Sequence, residues 1–81
     1  MSYAVLVSNL EPSVDSSELE DIFSLIGNVQ KAVIDIDPES GKSRGRGTVE
    51  MSTAEEALNC VLHFDGQKKS GQTLVVRAAR R

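Results

Sequence analysis

The sequence predicts an α+β domain of ferredoxin-like βαββαβ order, in which a four-stranded antiparallel sheet carries two helices on one face. Three observations support this. Two segments with helical apolar spacing separate β-prone stretches, each helical segment opens on a capping signature, and Gly or Pro punctuates the joints. With 81 residues there is enough chain for one core and not for two, so residues 1–81 are expected to form a single domain. At this size folding hides only about 60–65% of the unfolded surface, so nearly every large aliphatic residue should be needed inside.

Residues 3–8 alternate and are β-prone, with Val5 and Val7 on one face and Leu6 and Ser8 on the other, before Pro12 ends the strand. Asp15 followed by Glu18 reads as a capping box, and Leu19, Ile22, Phe23 and Ile26 hold i, i+3, i+4, i+7 spacing until Gly27 stops the helix. Residues 29–36 return to strand chemistry, with Ala32, Ile34 and Ile36 alternating against Val33 and Asp35. Residues 37–47 read as a loop and residues 48–51 as the next strand. Ser52 with Glu55 repeats the capping signature, and Ala57, Cys60, Val61 and Phe64 repeat the helical spacing before Gly66. Residues 66–72 read as a second loop, and residues 73–78 close the domain as a strand. This order leaves one sheet face without helices and free for a ligand.

Twelve acids against nine Lys and Arg give a net charge of −3, which excludes a globally basic protein that coats nucleic acid. The sum hides a polarity. Glu11, Asp15, Glu18, Glu20 and Asp21 precede any basic residue, whereas Lys42, Arg44 and Arg46, then Arg77, Arg80 and Arg81, form two later clusters. No apolar run approaches the roughly 20 residues that span a bilayer, and the N-terminus lacks a basic-then-apolar pattern, so no membrane partner is expected. Lone Cys60 cannot close an internal disulfide, nor with His63 as the single histidine build a zinc site. The fold is therefore expected to rest on packing, in a reducing compartment inside the cell.

Two motifs begin and fail. Gly41-Lys42-Ser43 looks like the end of a phosphate-binding loop, but its first glycine would fall at Ile36 and no helix follows. Asp35, Asp37 and Glu39 start like a calcium loop, but Ser40 stands where glycine is required and Arg46 where a bidentate glutamate is. His63 is expected on a helix surface and Cys60 in the core, with no nucleophile elbow in the chain. The sequence thus points to no enzyme, no metal and no small-molecule cofactor.

Within this element order, two segments resemble the RNA recognition motif family. Val5-Leu6-Val7-Ser8-Asn9-Leu10 looks like its six-residue motif, and Arg44-Gly45-Arg46-Gly47-Thr48-Val49-Glu50-Met51 aligns with its eight-residue K/R-G-F/Y-G/A-F-V-x-F/Y pattern. Phe23, Gly27 and Val29, then Ala57, Cys60, Gly66, Gly71 and Val76, fall at the family's spacing. The resemblance implies single-stranded RNA on the open sheet face. Where the family stacks bases on aromatic rings, this chain has Leu6, Arg46 and Thr48, although alternation still aims all three at that face. A base–ring stack contributes about 1–3 kcal/mol, so two or three missing rings remove on the order of 2–9 kcal/mol. At about 1.4 kcal/mol per tenfold in affinity, binding becomes weak.

An arginine plane can replace part of a ring, because it stacks on a base and offsets phosphate charge, and Gly45 and Gly47 are expected to leave the backbone open to close approach. The expected RNA contacts are Leu6 for apolar contact, Ser8 and Thr48 for hydrogen bonding, and Arg46 for stacking, with Lys42, Arg44, Arg77, Arg80 and Arg81 on phosphate. Val7-Ser8-Asn9-Leu10, Lys31-Ala32 and the Ser40-Gly41-Lys42-Ser43 loop running into Gly47-Thr48 are similar to the ALY/REF type of mRNA export adaptor. That likeness implies weak RNA contact shared with flanking Arg-rich arms, and a domain used as much for protein partners in a ribonucleoprotein complex as for RNA. The expected setting is mRNA processing or export, in the nucleus ahead of the cytoplasm or an organelle. The rival expectation is a protein-interaction module. Leu25, Leu58 and Leu62 occupy helix positions outside the inward sets, and Leu58 and Leu62 are i, i+4 neighbours amid acids.

Overall fold

Alternation in the first strand carries straight into three dimensions: Val5 and Val7 are wholly buried, and Leu6 between them is exposed. The structure, a computed structural model, describes residues 3–69 and 71–79. Its elements are β1 (Tyr3–Ser8), α1 (Ser16–Ser24), β2 (Val29–Ile36), β3 (Ser43–Met51), α2 (Ala54–Phe64), β4 (Lys68–Lys69), β5 (Gln72–Thr73) and β6 (Val75–Ala78). Strands β2, β3, β1 and β6 form one antiparallel sheet in that order, and β4 pairs with β5 in a separate hairpin. The expected ferredoxin-like βαββαβ fold is present, with the small hairpin added before the last sheet strand.

Helix α1 starts as its sequence requires, with Oδ1 of Asp15 accepting the Glu18 N–H at 2.8 Å. It stops at Ser24, before the expected Gly27. Gly27 serves packing instead: a Cβ there would lie 2.9 Å from Cβ and Cγ of Glu56 in the first turn of α2. Helix α2 is capped one residue later than expected, by Thr53, whose Oγ1 accepts the Glu56 N–H at 3.1 Å. Ser52 is held outside the helix because its N–H donates to the Asn28 carbonyl at 3.1 Å.

The first expected loop is shorter than the sequence suggested. Strand β3 begins at Ser43, so Arg44, Gly45, Arg46 and Gly47 are strand residues and only residues 37–42 turn. Their poor strand propensity is overridden because β3 is a central strand, paired to β1 on one side and β2 on the other. Gly45 adopts φ +76°, and its carbonyl accepts the Leu10 N–H at 2.8 Å. A register irregularity between Ile34 and Ile36 accompanies it, and Ile36 is left exposed.

The core lies between the sheet and the helices, where Val5, Val7, Val49 and Met51 meet Leu19 and Phe23 of α1 and Cys60 and Phe64 of α2. The Phe23 and Phe64 ring centroids are 4.6 Å apart. Tyr3 packs against the same core, so all three Phe and Tyr residues of the chain lie on the helix side of the sheet.

Candidate nucleic-acid interface

Register places the open-face residues in rows. Val33 pairs with Thr48, Thr48 with Leu6, and Leu6 with Arg77, so one row crosses all four strands. The next row runs from Arg46 through Ser8 to Val75. The structure therefore brings Leu6, Ser8, Arg46, Thr48 and Arg77 onto one contiguous surface. Its floor is apolar, because Leu6 and Val33 are each 45% exposed and Ile36 is 47% exposed. A concavity of about 550 Å³ opens there, with Ser8, Asp35, Arg46 and Thr48 among its polar lining. Arg44 stands at one end, in a second hollow of about 380 Å³ that Asn9 and Gln72 also line. Lys42 is exposed at the end of the turn, and Arg80 and Arg81 lie outside the described residues.

Three residues of this surface escaped the sequence reading. Val33 and Ile36 complete the apolar floor, and Asp35 faces the arginines. Nε of Arg46 donates to Oδ2 of Asp35 at 2.8 Å, and Nε of Arg44 lies 4.0 Å from Oδ1. One carboxylate thus sits beside two guanidiniums, in solvent, where such pairs contribute about 0–1 kcal/mol. Alternation of Val33 and Asp35 against Ile34 was the available signal for two of the three.

The expectation that Gly45 and Gly47 open the backbone to RNA is corrected. A Cβ on Gly47 would point inward, 2.6 Å from the Val33 carbonyl oxygen and 3.0 Å from Cδ2 of Leu19, and one on Gly45 would lie 3.1 Å from the Leu10 carbonyl oxygen. Both glycines make room for the protein itself. Beside them, Asn9 takes the left-handed conformation at φ +62° and ties β1 to the hairpin, with Nδ2 donating to the Thr73 carbonyl at 2.7 Å.

Away from this face, Leu25, Leu58 and Leu62 are exposed on the helix side. Cys60 is wholly buried, and its thiol is pushed up to about 11, first by burial and then by the Glu56 charge. Among the described residues no group of three or more His, Cys, Asp or Glu is placed to hold a metal, and no helix is long and apolar enough to cross a membrane.

The RNA recognition motif pattern matches residues 5–75. The chain belongs to the RNA recognition motif family. As an RNA recognition motif it is 40% identical over 78 residues to the 28 kDa ribonucleoprotein, chloroplastic, of Nicotiana sylvestris, covering 96% of this chain and 28% of that protein. It is 34% identical over 79 residues to the Glycine-rich RNA-binding protein 4, mitochondrial, of Arabidopsis thaliana, covering 98% of this chain and 58% of that one. The chain therefore spans less than two thirds of these curated relatives. Among solved structures, RNA Binding Protein PG1 matches with a TM-score of 0.93 and 31% identity, over 99% of this chain and 96% of that one. The Rna15 RRM with bound RNA shares the fold, with a TM-score of 0.81 and 20% identity over 90% of this chain and 78% of that one.

Family membership and ribonucleoprotein relatives support RNA binding as the general function of this RNA recognition motif. The relatives carry chloroplast and mitochondrial names, and they lend no support to the expected ALY/REF likeness, the export role or the nuclear setting.

Proposed function

We propose that this RNA recognition motif, residues 1–81 as one domain of a larger protein or complex, binds single-stranded RNA weakly and with low sequence preference across its open sheet face. The observation that carries the reading is the row Val33, Thr48, Leu6, Arg77, flanked by Arg46 and Ser8, which puts apolar contact, hydroxyls and cations on one surface. Leu6 and Val33 supply the floor for a base, Ser8 and Thr48 hydrogen-bond it, and Arg46 stacks. Lys42, Arg44 and Arg77 meet phosphate, joined by Arg80 and Arg81. Weakness follows from the rings, all of which are committed to the helix side. The role is one of binding and not of catalysis. The relatives' names favour an organellar ribonucleoprotein setting, with the protein partners such a complex implies. No observation favours the leucines of the helix side as the main site.

The test is a salt-series titration of short pyrimidine-rich RNA. Three or four neutralised phosphates give a slope of roughly −2 to −3 in log affinity against log salt. Arg44→Ala/Arg46→Ala is expected to weaken binding at low salt and flatten that slope. Unchanged affinity at low salt overturns the reading.

A further inference from the structure

Asp35 is the odd group on this surface, since a carboxylate beside an RNA backbone repels phosphate. Its geometry suits a different task. Its Oδ2 accepts from Nε of Arg46 at 2.8 Å, a bond that does not use the two terminal nitrogens of that guanidinium. Its Oδ1 is 4.0 Å from Nε of Arg44, beyond hydrogen-bond reach, so that oxygen retains its acceptor capacity. Both groups line the same concavity as the apolar side chains of Leu6 and Val33. A planar base lying on that floor would meet a wall that presents acceptors from Asp35 next to donors from Arg46.

Base edges differ in what they offer such a wall. Guanine presents two adjacent donors, its ring imino N–H and its exocyclic amino group, beside the O6 acceptor. Adenine places a ring acceptor next to its one amino donor, which opposes a carboxylate. Uracil and cytosine each offer one donor group. Each of the other bases can pair one donor and one acceptor with such a wall, but guanine alone sets two adjacent donors beside an acceptor, so it can place both N–H groups on the carboxylate while O6 meets the guanidinium.

We infer that Asp35 and Arg46 act as one recognition unit that selects a guanine base in single-stranded RNA, with Arg46 meeting the edge of that base instead of stacking on it. The inference rests on the RNA-binding reading above and adds one preferred base to an otherwise permissive surface. It also gives the carboxylate a role: Asp35 holds the Arg46 guanidinium in place and supplies the acceptors that the base needs.

The test uses fluorescence anisotropy with short oligouridines that carry one central guanosine, inosine or adenosine. Wild type is expected to bind the guanosine oligomer about five- to tenfold more tightly than the adenosine one, the low end for a two-bond base contact because the site is exposed. Inosine, which lacks the exocyclic amino group, should fall between them. Asp35→Asn replaces one acceptor with a donor and is expected to bring the preference below about twofold, while plain oligouridine binds more tightly because a negative charge has gone. Arg46→Lys should lose the preference too. A purely electrostatic role for Asp35 would move all the oligomers by the same factor and overturns the inference, as does equal binding of the guanosine and adenosine oligomers by wild type. Absence of binding to every oligomer overturns the RNA reading itself, and this inference with it.

Discussion

Gly47 in β3 yields its side-chain space to Leu19 of α1: a Cβ there would stand 3.0 Å from Cδ2 of Leu19 and 2.6 Å from the Val33 carbonyl oxygen. Leu19 is wholly buried, and Arg46 and Thr48 flank the glycine on the opposite, open face. The seating of the first helix and the shape of the proposed RNA surface therefore meet at one residue.

Gly47→Ala is expected to destabilise the domain by about 1–3 kcal/mol, the usual range for an atom forced into a filled site. The Val33 oxygen belongs to the backbone of a neighbouring strand and cannot swing aside as a side chain would. Urea unfolding checks this through a lower midpoint at unchanged slope. An unchanged midpoint would mean that the β2 backbone at Val33, as well as α1, shifts to admit the methyl group.

Cys60 should be inert in the folded domain. The thiolate is the reactive form, and burial raises this thiol from an ordinary 9.0 to about 11. At pH 8 a thiol-specific reagent is expected to label the protein only as fast as it unfolds, so labelling should accelerate with urea. The raised value also sets an alkaline limit. Its contribution to stability is intact below pH 9.0 and is lost as pH rises toward about 11, where the unfolded thiol has ionised and the folded one has not. Rapid labelling without urea would place Cys60 at the surface.

How much of this was legible in the sequence depended on how local each determinant is. Asp15 caps the Glu18 N–H, and Val5 and Val7 face inward against an exposed Leu6, because caps and alternation depend on close neighbours. The cap of α2 slipped from Ser52 to Thr53 because Ser52 answers to Asn28, far away in sequence. Arg44 to Gly47 read as loop because glycine and arginine carry no strand pattern, and two neighbouring strands impose one. In the candidate site, Leu6, Ser8, Arg46, Thr48 and Arg77 came out of alternation and resemblance together. The Asp35–Arg46 bond could not, since it depends on the β2–β3 register and on the irregularity between Ile34 and Ile36.

Glu56 ties the start of α2 to the end of the α1–β2 connection, and this makes the domain sensitive to acid. Its Oε1 accepts the Ser52 hydroxyl at 2.7 Å, and its Oε2 accepts the Asn28 N–H at 2.9 Å. The Ser52 bond, then the Asn28 bond, with smaller help from Thr53, hold this carboxyl below the ordinary 4.5 against a lesser opposing effect of burial. A carboxyl with a lowered folded value binds its proton less readily than it does in the unfolded chain. Its contribution is therefore complete above pH 4.5 and disappears as pH falls through the folded value. Wild type should lose thermal stability over that acid window. Glu56→Gln is expected to melt lower at pH 7, where the charged bonds are missing, and to converge on wild type as pH falls. Ser52→Ala removes the largest cause and should shift the acid transition of wild type toward higher pH. Thermal melts from pH 7 to pH 3 distinguish this from simple packing: if the gap between wild type and Glu56→Gln stays constant across that range, the charge on Glu56 is not what stabilises the joint.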